Sequence, residues 1–331
     1  GVAVTLVFVD ATKGWIVTDS GNQSEAPTAL YVTATGGTIT CSGDFRIHTF
    51  TGPGALCVSN AGNVAGSNTV DYMVVAGGGG GSVGGGGGGG FRESPGTASG
   101  SYTVSPLGVS PAVALPVSVT SFPITVGGGG AKSASPPDNK GSNGGLSTFS
   151  TITSAGGGGG AKEPSDPSPG PNDGQGLAGG SGGGGSYTSS GKPLAGKGGV
   201  GNTPPVSPAQ GFDGGSGPIG TPAPSNSSSG GGGATQIGGA TNPAAAGGDG
   251  GNGATTHISG SPVAYAGGGG GAGGSGGGAG TGGTGGGGAG GPSGNPGSAG
   301  TVNRGGGGGG GFPDPQSGGA GGSGIVILRY K

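Results

Sequence analysis

Residues 69–90, TVDYMVVAGGGGGSVGGGGGGG, pass from a short β-type run into five glycines, a Ser82-Val83 interruption and seven more glycines. The same hand-over recurs at 121–132 (SFPITVGGGGAK), 150–162 (STITSAGGGGGAK) and 261–271 (SPVAYAGGGGG), so the chain repeats a rule of construction and not a fixed length. Glycine blocks leave few options. Glycine loses more conformational freedom on folding than any other residue, and an isolated run stays a flexible linker. Order requires a partner for every N–H and C=O. An extended left-handed helix with three residues per turn, the polyglycine II form, points those groups outward in three directions, and the missing Cβ lets neighbouring rods approach until they satisfy one another. Such rods need companions of similar length. Blocks 77–81, 84–90, 127–130, 156–160, 182–185, 230–233, 267–271 and 305–311 supply them. Packed rods and a disordered linker differ in one observable, the protection of glycine amides from exchange.

Composition narrows the choice. The 102 glycines and 26 prolines among 331 residues exceed the level at which an aperiodic chain is classed as low-complexity. Val, Leu, Ile and Phe make up only about 15 %, too little for a conventional core over most of the length. A strict Gly-X-Y repeat also fails, because the non-glycine positions of 272–289 drift between registers, so collagen is excluded. The net charge of −2, with 7 % charged residues, gives neither an electrostatic reason for disorder nor a basic patch for nucleic acid. No apolar run approaches the roughly 20 residues that span a bilayer, so no membrane insertion is expected. The chain opens at Gly1 inside a β-like run, without an initiator Met or a signal-peptide pattern, which points to a fragment or a processed form.

Taken in order, 1–18 alternates with Val2, Val4, Leu6 and Phe8 on one parity, turns at 10–14 and resumes at Trp15, the pattern of a hairpin. Residues 34–76 read as a small all-β unit with strands at 38–41, 45–50, 56–59 and 70–76, separated by Gly, Pro and Asn turns. His48 lies in the second of these as a solvent-face or satisfied strand residue. Cys41 and Cys57 flank two candidate strands. They either form a disulfide closing a loop of about 17 residues, worth roughly 3 kcal/mol, or remain buried free thiols. The apolar run GIVILR at 324–329 closes the structure as a strand. The fold expected is mainly β and irregular with essentially no α-helix: a hairpin over 1–20, a small antiparallel β domain over 21–76, and a glycine-rich domain of packed rods with loop inserts over 77–331.

Catalytic patterns are absent. Residues 191–197 meet the first positions of a phosphate-binding loop, but Gly198 stands where Ser or Thr should hold magnesium, and neither the strand nor the helix of that motif flanks it. The acidic residues Asp166, Asp173, Asp213 and Asp249 are scattered without metal-ligand spacing. The sequons at Asn22 and Asn226 are at chance level. Two histidines without a neighbouring nucleophile and carboxylate make no triad. The expectation is a non-enzyme with no cofactor and no metal.

The string VTLVFVDATKGWIVTDS at 4–20 resembles the closing hairpin of a β-rich module of trimeric bacteriophage tail fibres. FRIHTFTGPGALCVSN at 45–60, followed by VDYMVVAGGGGG, the later hand-overs and the terminal GSGIVILRY, resembles the glycine-rich domain found near the C-termini of phage fibre and tail proteins. That resemblance implies a structural virion protein, a distal tail fibre or receptor-binding adhesin in the virion or outside the cell. Its implied partners are a host cell-surface saccharide or protein and other fibre or tail proteins, with the chain a homotrimer or another fibrous homo-oligomer. In such adhesins polyglycine II helices pack in layers and the connecting loops read the host surface. A different class is a self-assembling extracellular glycine-rich filament, which would show an open helical repeat in place of a closed trimer. If the chain is an adhesin, affinity belongs to the polar inserts, because rods offer only backbone. The longest insert, 187–229, carries Tyr187, Lys192, Asn202, Gln210, Phe212 and Asp213, an aromatic and polar mixture suited to a wet saccharide interface. The competing role for Tyr187 and Phe212 is to pack the insert onto the bundle.

Overall fold

The computed structural model describes residues 5–19, 28–98, 102–134, 139–162, 174–187, 196–217, 227–241, 246–311 and 318–331. Among them there is no α-helix. Strands β1 (Thr5–Asp10) and β2 (Gly14–Asp19) form an antiparallel hairpin, with Leu6 opposite Val17, Val7 opposite Ile16 and Phe8 opposite Trp15. Asp10 holds its turn, its carboxylate accepting from the N–H groups of Thr12 and Lys13 at 2.8 and 2.7 Å. Every residue of β1 is exposed, so the hairpin is apolar on both faces with neither covered.

The remaining strands build a sandwich and its cover. They are β3 (Val32–Thr35), β4 (Thr38–Ser42), β5 (Phe45–Phe50), β6 (Gly54–Ala61), β7 (Thr69–Val75), β8 (Phe91–Glu93), β9 (Leu115–Pro116), β10 (Ser121–Thr125), β11 (Ser147–Phe149), β12 (Ile152–Ser154), β13 (Ala254–Thr256), β14 (Val263–Tyr265) and β15 (Ile325–Tyr330). One sheet has the order β12-β11-β10-β6-β3, the other β4-β5-β15-β7-β8 with β9 also paired to β7. All pairings are antiparallel. The four strands expected between 34 and 76 are β4 to β7. The boundary drawn at 76 marks where strand becomes rod, but it does not separate two cores, since β15 lies between β5 and β7 and β10 pairs with β6.

Alternation explains the layering. On β7, Val70, Tyr72 and Val74 face the other sheet, where with Val326, Leu328 and Tyr330 of β15 they meet Val32, Leu56, Val58, Ile124 and Phe149. The opposite parity, Met73 and Val75 with Ile325 and Ile327, packs under Phe91, Ile258 and Tyr265 near the β13–β14 hairpin. Both strands are thus buried on both faces, which is why VDYMVV and IVILRY read as near-continuous apolar runs. Each such fully buried side chain contributes about 1.5–3 kcal/mol. His48, fully buried, is satisfied on both ring nitrogens, by the Gly36 carbonyl at 2.7 Å and the Tyr330 hydroxyl at 2.8 Å. Burial holds its imidazole below the usual histidine range.

Past the sheets, the strands run on as rods. Along 76–81 the donors visit three neighbours in strict rotation: Ala76 and Gly79 bond to Gly90 and Gly87, Gly77 and Gly80 to Gly145 and Ser142, and Gly78 and Gly81 to Gly322 and Gly319. A period of three with three directions is the hydrogen-bond signature of polyglycine II. Rod 84–90 shows the full lattice. Its N–H groups bond to 155–161, 229–232 and 305–308, and its carbonyls accept from 76–82, 181–184 and Gly269, so six neighbours surround it. Side chains are excluded by the same closeness: a Cβ on any of Gly77, Gly78, Gly79, Gly80 or Gly81 would lie 2.0–2.1 Å from a carbonyl oxygen of another segment. Ser147 and Ser154 help join the two regimes, their hydroxyls donating to the carbonyls of Val75 and Val74 at 2.9 and 2.8 Å.

Candidate functional site

Rod 76–82 leaves β7 and turns at Ser82-Val83, which places that turn at the end of the bundle remote from the sheets. Val83 is buried there against Tyr187 and Ala272. The described residues that flank the polar inserts gather around this turn. Ser133 donates to Gly81, Ser82 to the Asn139 carbonyl, Val83 to Ala161, Ser186 to Gly174, Gly217 to Gly196, Ser228 to Val83 and Gly311 to Ser82. Thr241 lies beside Gly217, and Gly318 against Gly81. The described residues on either side of the polar inserts therefore stand together at one end of the lattice.

The six residues named from the sequence do not come together. Tyr187 stands at the remote end, only 3 % exposed, as the aromatic plug between Val83 and Ala272. Lys192 lies outside the described residues. Asn202 and Gln210 sit at the sheet end, and both are occupied in shaping their own loop. Asn202 accepts from the N–H groups of Val206 and Gln210 and donates to the Val206 carbonyl, while Gln210 accepts from the Ala155 N–H at 2.8 Å and donates to the Pro204 carbonyl at 2.8 Å. Asp213 accepts from the Gly201 N–H at 2.7 Å, and Phe212 is 38 % exposed near it. The reason is that 187–229 is not one insert. Residues 196–201 and 211–217 are rods in their own right, bonded to 174–186 and to each other.

Those rods carry side chains at every third position on the outer surface of the lattice: Lys197 and Val200, Asp213 and Ser216, Ile237 and Ala240, Asp249 and Asn252, Thr281 and Thr284. Two of these rows are bonded across, Asp249 accepting from Thr281 at both its N–H and hydroxyl and Asn252 likewise from Thr284. The signal in the sequence is X-Gly-Gly-X, which marks an edge rod as an unbroken glycine block marks an interior one.

Cys41 and Cys57 are free thiols. The disulfide is not formed, and the thiols are free as the other reading has it but exposed instead of buried, on strands of different sheets, β4 and β6. Among the described residues no three His, Cys, Asp or Glu side chains converge as a metal site, and no helix is long and apolar enough to cross a membrane.

A cluster of titratable groups lies inside the fold. Glu93, 2 % exposed, accepts from the Ser105 N–H at 2.9 Å and from the Thr256 hydroxyl, and Ser94 donates to Asp71 at 2.8 Å. Arg329 stacks between the rings of Phe45 and Tyr102, at 4.8 and 5.3 Å from their centroids. Burial raises the Glu93 carboxyl above the ordinary range and pushes the Tyr102 hydroxyl up. This cluster fastens β13 and the 94–108 segment to the six-stranded sheet. Because the folded state holds the Glu93 proton more tightly than the unfolded chain, its contribution is full below the unfolded value and is lost as pH rises through the folded one. In urea unfolding the stability of the protein relative to Glu93→Gln should therefore fall as pH rises from about 4, while the buried neutral His48 contributes the opposite slope to both proteins. A difference between the two proteins that does not change with pH would contradict this role for Glu93.

No curated protein matches the chain. A family model described as a glycine-rich domain matches residues 51–331. The matched span takes in the rods and the strands that feed them, from β6 to β15, and the chain belongs to this glycine-rich domain family.

Proposed function

We propose that the chain is a non-catalytic structural protein of a bacteriophage virion, the distal part of a tail fibre or an adhesin at its tip, acting outside the cell. The observation that carries this reading is the gathering, at the remote end of a rigid rod lattice, of the residues that flank the polar inserts. A surface that must vary while its support stays constant is best placed on loops, where length changes cost little free energy. The support is unusually fixed, since its interior rods are held by backbone bonds on all sides. The resemblance of 4–20 and of the hand-over segments to phage fibre proteins supplies the virion. The β1–β2 hairpin supports assembly as a fibrous homo-oligomer: an isolated two-stranded sheet is marginal in water, and Leu6, Phe8 and Trp15, each more than half exposed, call for cover by another chain. The partner at the far end is a saccharide or protein of the host surface.

Shortening 188–195 and 218–226 to Gly-Ser turns tests the assignment. The rods should keep their amide protection while adsorption of particles carrying the variant to their host is lost. Adsorption unchanged in a folded variant would place recognition elsewhere. Antibody raised against the chain should label the tips of virion tails in electron micrographs. Label on open filaments instead would favour a self-assembling filament subunit.

A further inference from the structure

At the sheet end, away from the inserts, a cleft of about 460 Å³ opens between the rod lattice, the β11–β12 hairpin and the 202–210 loop. Its walls come from Leu146, Pro204 and Val206, the threonines 151 and 153 of the hairpin, and Arg92 on β8. We propose that this cleft binds a small carboxylate carried on an apolar ring, distinct from any partner of the remote loops.

Three features support the assignment. The cleft is preformed: Asn202 and Gln210 tie the 202–210 loop by four hydrogen bonds, and Gln210 anchors it to the lattice through Ala155. The volume lies in the range of small-molecule sites. Leu146 is 51 % exposed although it stands beside a rigid wall, an apolar side chain that gains by being covered. The charge is the third feature. Arg92 is the one charged residue of the lining, and its guanidinium has no hydrogen-bond or ion-pair partner among the described residues. No acidic side chain lines the cleft to compete for it. A half-buried, unpaired guanidinium beside apolar walls selects a planar anion, since it offers paired N–H donors that fit a carboxylate. The threonine hydroxyls of 151 and 153 add donors for the remaining lone pairs. A neutral ligand of the same shape would leave Arg92 desolvated and unmatched.

Phenylacetate and phenylacetamide, equal in shape and different in charge, are the probes. With methyl-labelled protein, phenylacetate should shift the Leu146 and Val206 methyl signals saturably, and phenylacetamide should bind about tenfold more weakly or worse. Arg92→Met should lose the preference for the acid. Leu146→Asp, at an exposed position that puts no strain on folding, should weaken phenylacetate by a similar factor through like-charge repulsion. Equal binding of acid and amide, an Arg92→Met protein that still prefers the acid, or methyl signals that do not move would each overturn the proposal.

Discussion

Gly87→Ala should cost about 3 kcal/mol or more, and Gly87→Val should prevent the lattice from forming. Gly87 stands in the middle of rod 84–90, bonded to Gly158 and accepting from Gly79. A Cβ there would lie 2.3 Å from the Ser181 carbonyl oxygen and 2.7 Å from that of Gly182. Both obstacles are backbone of a rod that is itself held by its neighbours, so no side chain can swing aside to relieve the clash. Displacing rod 181–186 would strain bonds to 156–160 and 211–215 as well. The comparison that isolates this effect is Gly278→Ala, where nothing lies within 4 Å of the new methyl and φ is not left-handed. That change should be neutral or stabilise slightly, by up to about 1 kcal/mol, through the reduced freedom of the unfolded chain. Urea unfolding midpoints of the two variants measure the difference. Similar midpoints would show that the interior rods are not close-packed.

Removing 325–331 should abolish folding. These residues form the strand inserted between β5 and β7, and their loss would leave two edges facing each other across a gap and uncover both cores at once. A graded version is Leu328→Ala, at a fully buried position in the core between the two sheets, which should cost about 2–5 kcal/mol. A truncated chain with native amide protection would contradict the central place of β15. The same geometry means that the sheet begun by β4, β5 and β7 is finished only when β15, far along the chain, is in place.

Much of this was legible in the sequence because local pattern and global role coincide. The hairpin at 5–19, the strands from 38 to 75 and the apolar closing strand all follow from alternation or continuous apolarity bounded by Gly, Pro and Asn. The rods follow from backbone accounting. The edge rods were missed for a physical reason. An interior rod is glycine over most of its length, with only an occasional small residue such as Ser181 or Ser229, but at the lattice surface every third residue faces water, and Lys197, Val200, Asp213 and Ser216 then look like an ordinary polar insert. Asn202 and Gln210 carry a related ambiguity: a polar side chain suited to gripping a sugar is equally suited to tying its own loop, as both do here. Arg92 gave no local signal, since a lone arginine on a three-residue strand becomes notable only when distant segments wall it in.

The rotation of donors among three neighbours also limits how the gene can change. Adding one residue inside a rod would turn every later N–H by about a third of a circle and aim it at the wrong neighbour, while adding three would restore every direction and only lengthen the rod. Heritable length changes in the blocks should therefore come in steps of three codons, whereas the inserts at the remote end can grow or shrink by any number of codons. One chain thus carries two units of length change, the turn of the rod within the blocks and the single residue within the inserts.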